Sequence, residues 1–284
     1  MTYIQAIVLG IVQGLTEFIP ISSSAHLIIV PWLFHWSSPS LAFDISLHLG
    51  TLISLLWFFI TDWIHLLKAG ISSIFERKIR NDPYRKLAWQ IVLGCIPGAI
   101  VGVLFESQIE ELFHKPDVPV TMQAMLAMAG IIILLGVLLF IAERVAKHRK
   151  NLYELSMKNA MLIGLAQALS IFPGVSRSGS TITAGLAAGL RREDAARFSF
   201  LLGAPLVAGA GIIGAIDVFT QLSAEGLAPS ELLFYLIGFI TSAIVGYLCI
   251  KLMLRFLQKN STDIFVYYRF ALAVMIIGVA LIRG

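Results

Sequence analysis

The chain has 284 residues, 58% hydrophobic and only 13% charged, with a mean hydropathy of +0.86. Soluble domains carry about 25% charged residues, so this composition excludes an ordinary water-soluble globule and puts the chain in a membrane. A formal charge of +4 calls for no nucleic-acid partner, and the two cysteines, Cys95 and Cys249, lie in apolar runs and build neither a disulfide framework nor a metal cluster.

A helix that crosses a bilayer needs about 20 mostly apolar residues. In chain order, the first apolar region, 3–36, is broken by Pro20, by three serines and by Pro31. It reads as a re-entrant hairpin of two short helices rather than a span. No basic stretch and cleavage site mark it as a signal peptide. Spans are predicted over 43–63, 87–105 and 121–142. A second broken region, 159–190, is interrupted by "FPGVSRSGS", Phe172 to Ser180, and reads as a second hairpin. Spans over 196–218, 231–254 and 264–283 complete the chain. Irregular backbone at membrane depth is tolerated only where protein or a water-filled cavity surrounds it.

Lys and Arg concentrate in 64–86, 143–158 and 251–263, whereas 106–120 is acidic and 219–230 has no basic residue. The positive-inside rule puts the basic segments in the cytoplasm. Both termini and the mouth of the first hairpin then face outward, and the second hairpin enters from the cytoplasm. The run Arg191, Arg192, Glu193, Asp194 reads as a helix start at the membrane surface, and Asp44 and His48 as interfacial polar groups.

The two hairpins are related. "LGIVQGLTEFIPISSSA" (9–25) aligns without gaps on "IGLAQALSIFPGVSRSG" (163–179), and "LGCIPGAIVGVL" (93–104) on "IGFITSAIVGYL" (237–248). Two matches in the same order predict a duplicated chain, 1–143 and 154–284. Each half is a hairpin plus three spans, and an odd number of spans inverts the second half. The expected fold is therefore an all-α polytopic membrane protein of two inverted repeats, with its site near the midplane where the halves meet.

Glu17 is the only acidic residue from Met1 to Phe43, where there is no Lys or Arg, and Arg177 is the only charged residue from Asn159 to Leu190. Intramembrane charges are expensive and usually face a cavity or each other. A structural salt bridge needs no hydroxyls, yet Ser22, Ser23, Ser24, His26, Ser176, Ser178, Ser180 and Thr181 surround these two. Such donors, with an Arg able to form two parallel bonds, suit an oxyanion such as phosphate. The second helix of each hairpin adds free N–H groups at its start, and Gly174 and Gly179 admit close backbone approach. Glu17, Ser23 and His26 make a nucleophile, a base and an orienting group. Gln13 and Glu17, one helical turn apart, offer oxygens to a hard divalent cation.

The stretches "QGLTEFIPISSSAH" and "PGVSRSGSTIT" resemble the two signature motifs of the undecaprenyl-diphosphate phosphatase family, the bacitracin-resistance proteins. The likeness covers nearly the whole chain. The first family motif places Glu or Gln, three residues, then Glu; here Gln13 and Glu17 fill it. The resemblance implies hydrolysis of the C55 lipid carrier undecaprenyl diphosphate to its monophosphate, with Mg2+ or Ca2+, at the outer side of the bacterial inner membrane. Under it Glu17, Ser23, His26 and Arg177 are catalytic, with Ser23 attacking or orienting water. Ser22, Ser24, Gly174, Ser176, Ser178 and Thr181 join Arg177 in binding phosphate, and Glu17 with Gln13 holds the cation. The partners are the lipid substrate and membrane lipid, with a homodimer left open. The rival is a secondary transporter or lipid-carrier flippase, since inverted repeats and broken helices are also transporter architecture.

Overall fold

The computed structural model describes residues 1–79, 82–225 and 229–283 apart from 114–120; the side chains of 106–113, 217–225 and 229–230 are likewise outside the description. The acidic segment 106–120 and the segment 219–230, both expected outside, thus fall largely beyond the described residues.

Among those residues the chain is all helix, joined by turns. The first hairpin is α1 (Tyr3–Thr16) and α2 (Ser23–Phe34). Then follow α3 (Leu41–Phe58), α4 (Ile60–Glu76), α5 (Pro83–Phe113) and α6 (Met122–Val145). The second hairpin is α7 (Met157–Ala168) and α8 (Arg177–Ala187), and α9 (Arg192–Glu225), α10 (Pro229–Leu257) and α11 (Asp263–Arg283) close the chain. Six helices, α3, α5, α6, α9, α10 and α11, are long and apolar enough to cross a membrane; the protein is a multi-pass membrane protein.

The hairpins break where the sequence puts Pro20 and Pro173, but the turns owe their shape to serine. Ser22 and Ser176 have φ of 78° and 62°, in the left-handed region that non-glycine residues seldom enter. Each caps the helix that follows: Ser22 Oγ accepts from the N–H of Ala25 at 3.4 Å and Ser176 Oγ from that of Gly179 at 3.1 Å. Each also pairs with the serine two residues on, Ser24 and Ser178, at 3.3 Å in both cases. The two serines occupy matching positions in the internal alignment.

The hairpins pack crosswise. α1 lies against α10 and α7 against α5, while α3 meets α10 and α9, and α6 meets α11. Glycine sets both crossed contacts. A Cβ on Gly10 would stand 3.0 Å from the Gly238 carbonyl oxygen, and one on Gly164 would strike the carbonyl of Gly94. Gly10 aligns with Gly164, and Gly94 with Gly238.

Two features depart from the expected fold. The first span ends at Phe58, and the basic stretch after it is not a loop: α4 occupies most of it. No glycine or proline marks the break at Phe59; Asp62 in the first turn of α4 instead pairs with Arg197 of α9. The second is a polar knot on the basic side. Buried Glu143 at the end of α6 accepts from Arg192 at the start of α9, and its other oxygen accepts from the Thr262 hydroxyl at 2.8 Å. The charged start of α9 is thus an anchor between helices, not only a surface cap.

Candidate active site

The turn after α1 and the start of α8 bring the lone charges of the hairpins together. Arg177 Nη2 donates to Glu17 Oε1 at 2.7 Å. The other carboxylate oxygen accepts from the Ser23 hydroxyl at 2.7 Å and from Gln13 Nε2 at 3.1 Å. Glu17 is buried, and Arg177 nearly so. Its guanidinium is seated by Gly203 of α9, where any Cβ would overlap it. Thr181 accepts no share of this pair; its hydroxyl donates to the Arg177 carbonyl at 2.7 Å and bonds Ser199 at 2.6 Å, holding α8 on α9. Ser178 Oγ donates to the Ile19 carbonyl at 3.2 Å, stitching one turn to the other.

His26 stands apart from Ser23. Its Nδ1 lies 2.6 Å from the Ser22 carbonyl and its Nε2 2.7 Å from the Tyr268 hydroxyl. A carbonyl only accepts, so Nδ1 carries the proton and Nε2 accepts from the phenol. Both ring nitrogens are occupied. Instead His48 of α3, which the sequence suggested only as an interfacial group, approaches Glu17 Oε2 to 4.0 Å. Its Nδ1 donates to the Asp44 carbonyl at 2.8 Å, which leaves Nε2 turned toward the carboxylate.

Sequence reading missed Arg269 of α11. It has no exposed surface, its Nε donates to the Pro20 carbonyl at 2.6 Å, and its Nη2 lies 3.5 Å from the Val175 carbonyl. One side chain thus clasps both hairpin turns. An arginine inside the apolar run 264–283 was the available signal, because such a residue almost always has a polar task. Gly174, with φ of 97°, makes the second turn possible.

The unpartnered atoms tell what the site lacks. Arg177 Nη1, Arg269 Nη1 and Gln13 Oε1 are buried without a hydrogen-bond partner among the described residues. Buried polar groups are normally satisfied, and each exception calls for an explanation. Two guanidinium nitrogens without acceptors ask for an anion. Gln13 Oε1, one turn from Glu17, is a hard oxygen donor of the kind Mg2+ and Ca2+ take. These residues fit a divalent cation that draws its other ligands from a bound oxyanion. A hydroxyl held by a carboxylate beside an arginine is equipped for displacement at phosphorus.

Comparison with known proteins finds relatives over nearly the whole chain. The family profile described as bacitracin resistance protein BacA matches residues 6–275. The undecaprenyl-diphosphatase of Caldicellulosiruptor bescii is 44% identical over 284 residues, covering all of both chains. That of Thermomicrobium roseum is 43% identical over 273 residues, 96% of each chain, and that of Moorella thermoacetica 43% identical over 283 residues, all of both. With paired hairpins, an apposed Glu17 and Arg177, and a family match spanning nearly its whole length, the chain belongs to the BacA bacitracin resistance family.

Proposed function

We propose that this protein hydrolyses undecaprenyl diphosphate to undecaprenyl phosphate and inorganic phosphate, returning the lipid carrier to cell-wall synthesis. The observation that carries this reading is the Ser23–Glu17–Arg177 arrangement at the meeting of the two hairpins, with 2.7 Å on each side of the carboxylate. Full-length relatives named undecaprenyl-diphosphatase support the substrate.

In the proposed reaction the terminal phosphate enters beside Arg177, whose Nη1 has no hydrogen-bond partner among the described residues. Ser23 Oγ attacks the terminal phosphorus while its proton passes to Glu17, and the bond from that phosphorus to the bridging oxygen breaks. Undecaprenyl phosphate leaves with the bridging oxygen. Glu17 passes the proton on to the departing phosphate, then takes one from an attacking water and returns it to Ser23 Oγ as the phosphoester breaks, which frees inorganic phosphate. Ser22, Ser24, Ser176, Ser178 and the N–H groups opening α2 and α8 surround the charge that develops on the phosphoryl oxygens. His26 reaches the leaving group as an acid only by exchanging its Tyr268 partner. Gln13 and Glu17 would hold Mg2+ or Ca2+, which when bound neutralises diphosphate charge.

The halves 1–143 and 154–284 are proposed as inverted repeats. The matched capping serines and the exchanged glycine contacts, Gly10 on Gly238 and Gly164 on Gly94, support this. The charge pattern supports a bacterial inner-membrane protein with its basic segments in the cytoplasm and its site opening to the outer face. The deciding experiment is phosphate release by the purified protein in detergent. A transporter or flippase that moves the carrier without hydrolysis releases none.

A further inference from the structure

The proposed reaction makes no use of α4. Its surface divides into three arcs at about 100° per residue. Leu66, Ala69 and Ser73 are buried, the last accepting from Trp89 Nε1 of α5 at 2.9 Å. Ile60, Ile64, Leu67, Ile71, Ile74 and Phe75 fall on a second arc, and all are exposed, Phe75 to 82% and Leu67 to 62%. Lys68, Ser72 and His65 lie between the two. Six large apolar side chains in one stripe on a surface helix mark a contact with something apolar.

What covers the stripe follows from its position. It begins three residues after Trp57, itself 72% exposed at the end of a membrane-spanning helix, and so continues that helix's exposed apolar surface. Aromatic residues of this kind sit at the membrane–water boundary. The polar arc opens on a shallow, open depression lined by Lys68, Ser72, His65 and Tyr84, with Arg85, Glu76 and Asp82 among the rest of its wall. Arg85 is already neutralised by Glu76 at 2.8 Å and Asp82 at 3.5 Å. Lys68, Arg77, Lys78 and Lys86 make no ion pair among the described residues. The Glu76 and Asp82 carboxylates exceed Arg85 by one charge, which Lys68 balances, so the positive charge at this end of α4 is that of Arg77, Lys78 and Lys86 around the depression.

We propose that α4 is an interfacial helix, its apolar arc sunk among the acyl chains of the leaflet on the basic side, and that Lys68, backed by the unpaired Arg77, Lys78 and Lys86, draws the phosphate of an anionic phospholipid to its edge. A lipid lying along Ile64 and Leu67 brings its headgroup to Lys68 and Ser72, so one molecule satisfies both arcs. Lipid-facing amphipathic helices bind by this combination of buried apolar area and basic attraction to anionic headgroups.

The test uses full-length protein with Cys95→Ala and Cys249→Ala, reconstituted in phosphatidylcholine vesicles with phosphatidylglycerol. A fluorophore on Ile71→Cys should be quenched by lipid carrying a nitroxide near the headgroup and protected from aqueous iodide, with a label on Lys78→Cys showing the reverse. Quenching of the Ile71 label by iodide alone overturns the interfacial placement. So does protection from both quenchers with disulfide crosslinking between copies, which would give the stripe to a second chain. A label on Ser72→Cys should be quenched preferentially by nitroxide phosphatidylglycerol over phosphatidylcholine, and Lys68→Gln should cut that preference about fivefold, the worth of one basic residue at an anionic surface. A preference unmoved by Lys68→Gln, or abolished by millimolar inorganic phosphate, overturns the headgroup site. None of these readings depends on phosphatase activity.

Discussion

Glu17→Gln separates two tasks of one carboxylate. The substitution keeps the shape of the side chain and removes its charge. Ser23 then has no anionic acceptor 2.7 Å from its hydroxyl, and Arg177 loses its counter-ion at the same distance. Loss of a positioned base costs about 10²- to 10⁴-fold in turnover, which is about 2.7–5.5 kcal/mol of barrier. Binding should move the other way. In the free protein Arg177 must trade Glu17 for phosphate, and a hydrogen bond to a charged group is worth about 1.5–3 kcal/mol. With glutamine that trade is cheaper, so KM should fall, by up to about tenfold. Breaking a buried ion pair from one side costs about 3–5 kcal/mol of stability; the remaining carbonyl oxygen of glutamine keeps the expected loss near the lower figure. The assay is phosphate release from undecaprenyl diphosphate in detergent, with kcat and KM resolved and thermal unfolding followed in parallel. A kcat within about threefold of the parent would refute Glu17 as the base, and an unchanged kcat with a raised KM would make it a binding group only.

Gly203→Ala should lower turnover about 100-fold, because its Cβ takes the space of the Arg177 guanidinium; a steady-state assay showing parental activity would mean the arginine can work from another position. Gln13→Glu should retain activity and steepen its dependence on Mg2+, since a second carboxylate adds a hard ligand beside Glu17; a magnesium titration identical to the parent's would place Gln13 away from the cation. Gly164→Ala should destabilise the fold by about 1–3 kcal/mol, read by thermal unfolding, because the added methyl meets the Gly94 backbone where α7 crosses α5. Ser24→Cys in a cysteine-free background should react with an impermeant thiol reagent outside intact cells; labelling solely from the cytoplasmic side would sink the outward-facing site.

Much of this was legible because membrane burial makes polar residues conspicuous. Glu17 and Arg177 stand out as sole charges, and the structure sets them 2.7 Å apart although 160 positions separate them. The hairpins were readable from Pro20 and Pro173 for the same reason: helix breakers inside apolar runs have few explanations. What escaped was direction. Ser23 and His26 are neighbours in sequence, yet one turns to Glu17 and the other to Tyr268 across the fold. His48 reads from sequence as an interfacial polar group, although α3 carries it to within 4.0 Å of Glu17. α4 was hidden by Lys68 and by the basic residues that follow it, Arg77 and Lys78, which read as a loop until the apolar residues are placed around a helix. The left-handed φ of Ser22 and Ser176 has no signature in a residue type that normally avoids it.

The charge balance of the turns connects the fold to the substrate. Between them lie one carboxylate, Glu17, and two guanidiniums, Arg177 and Arg269. Arg269 donates to backbone carbonyls, and among the described residues each arginine keeps one buried nitrogen without an acceptor. An excess positive charge at this depth is costly, and Arg269 offsets part of that cost by joining Ser178 and Arg177 in fastening the two turns to each other. An incoming diphosphate supplies the missing negative charge and the missing acceptors at once. Once the bridging bond breaks, the carrier departs with a single phosphate, and in the proposed reaction water then frees inorganic phosphate from Ser23 beside Arg177. Glu17 then competes for that guanidinium again, so the ion pair that opposes substrate binding also helps expel the product.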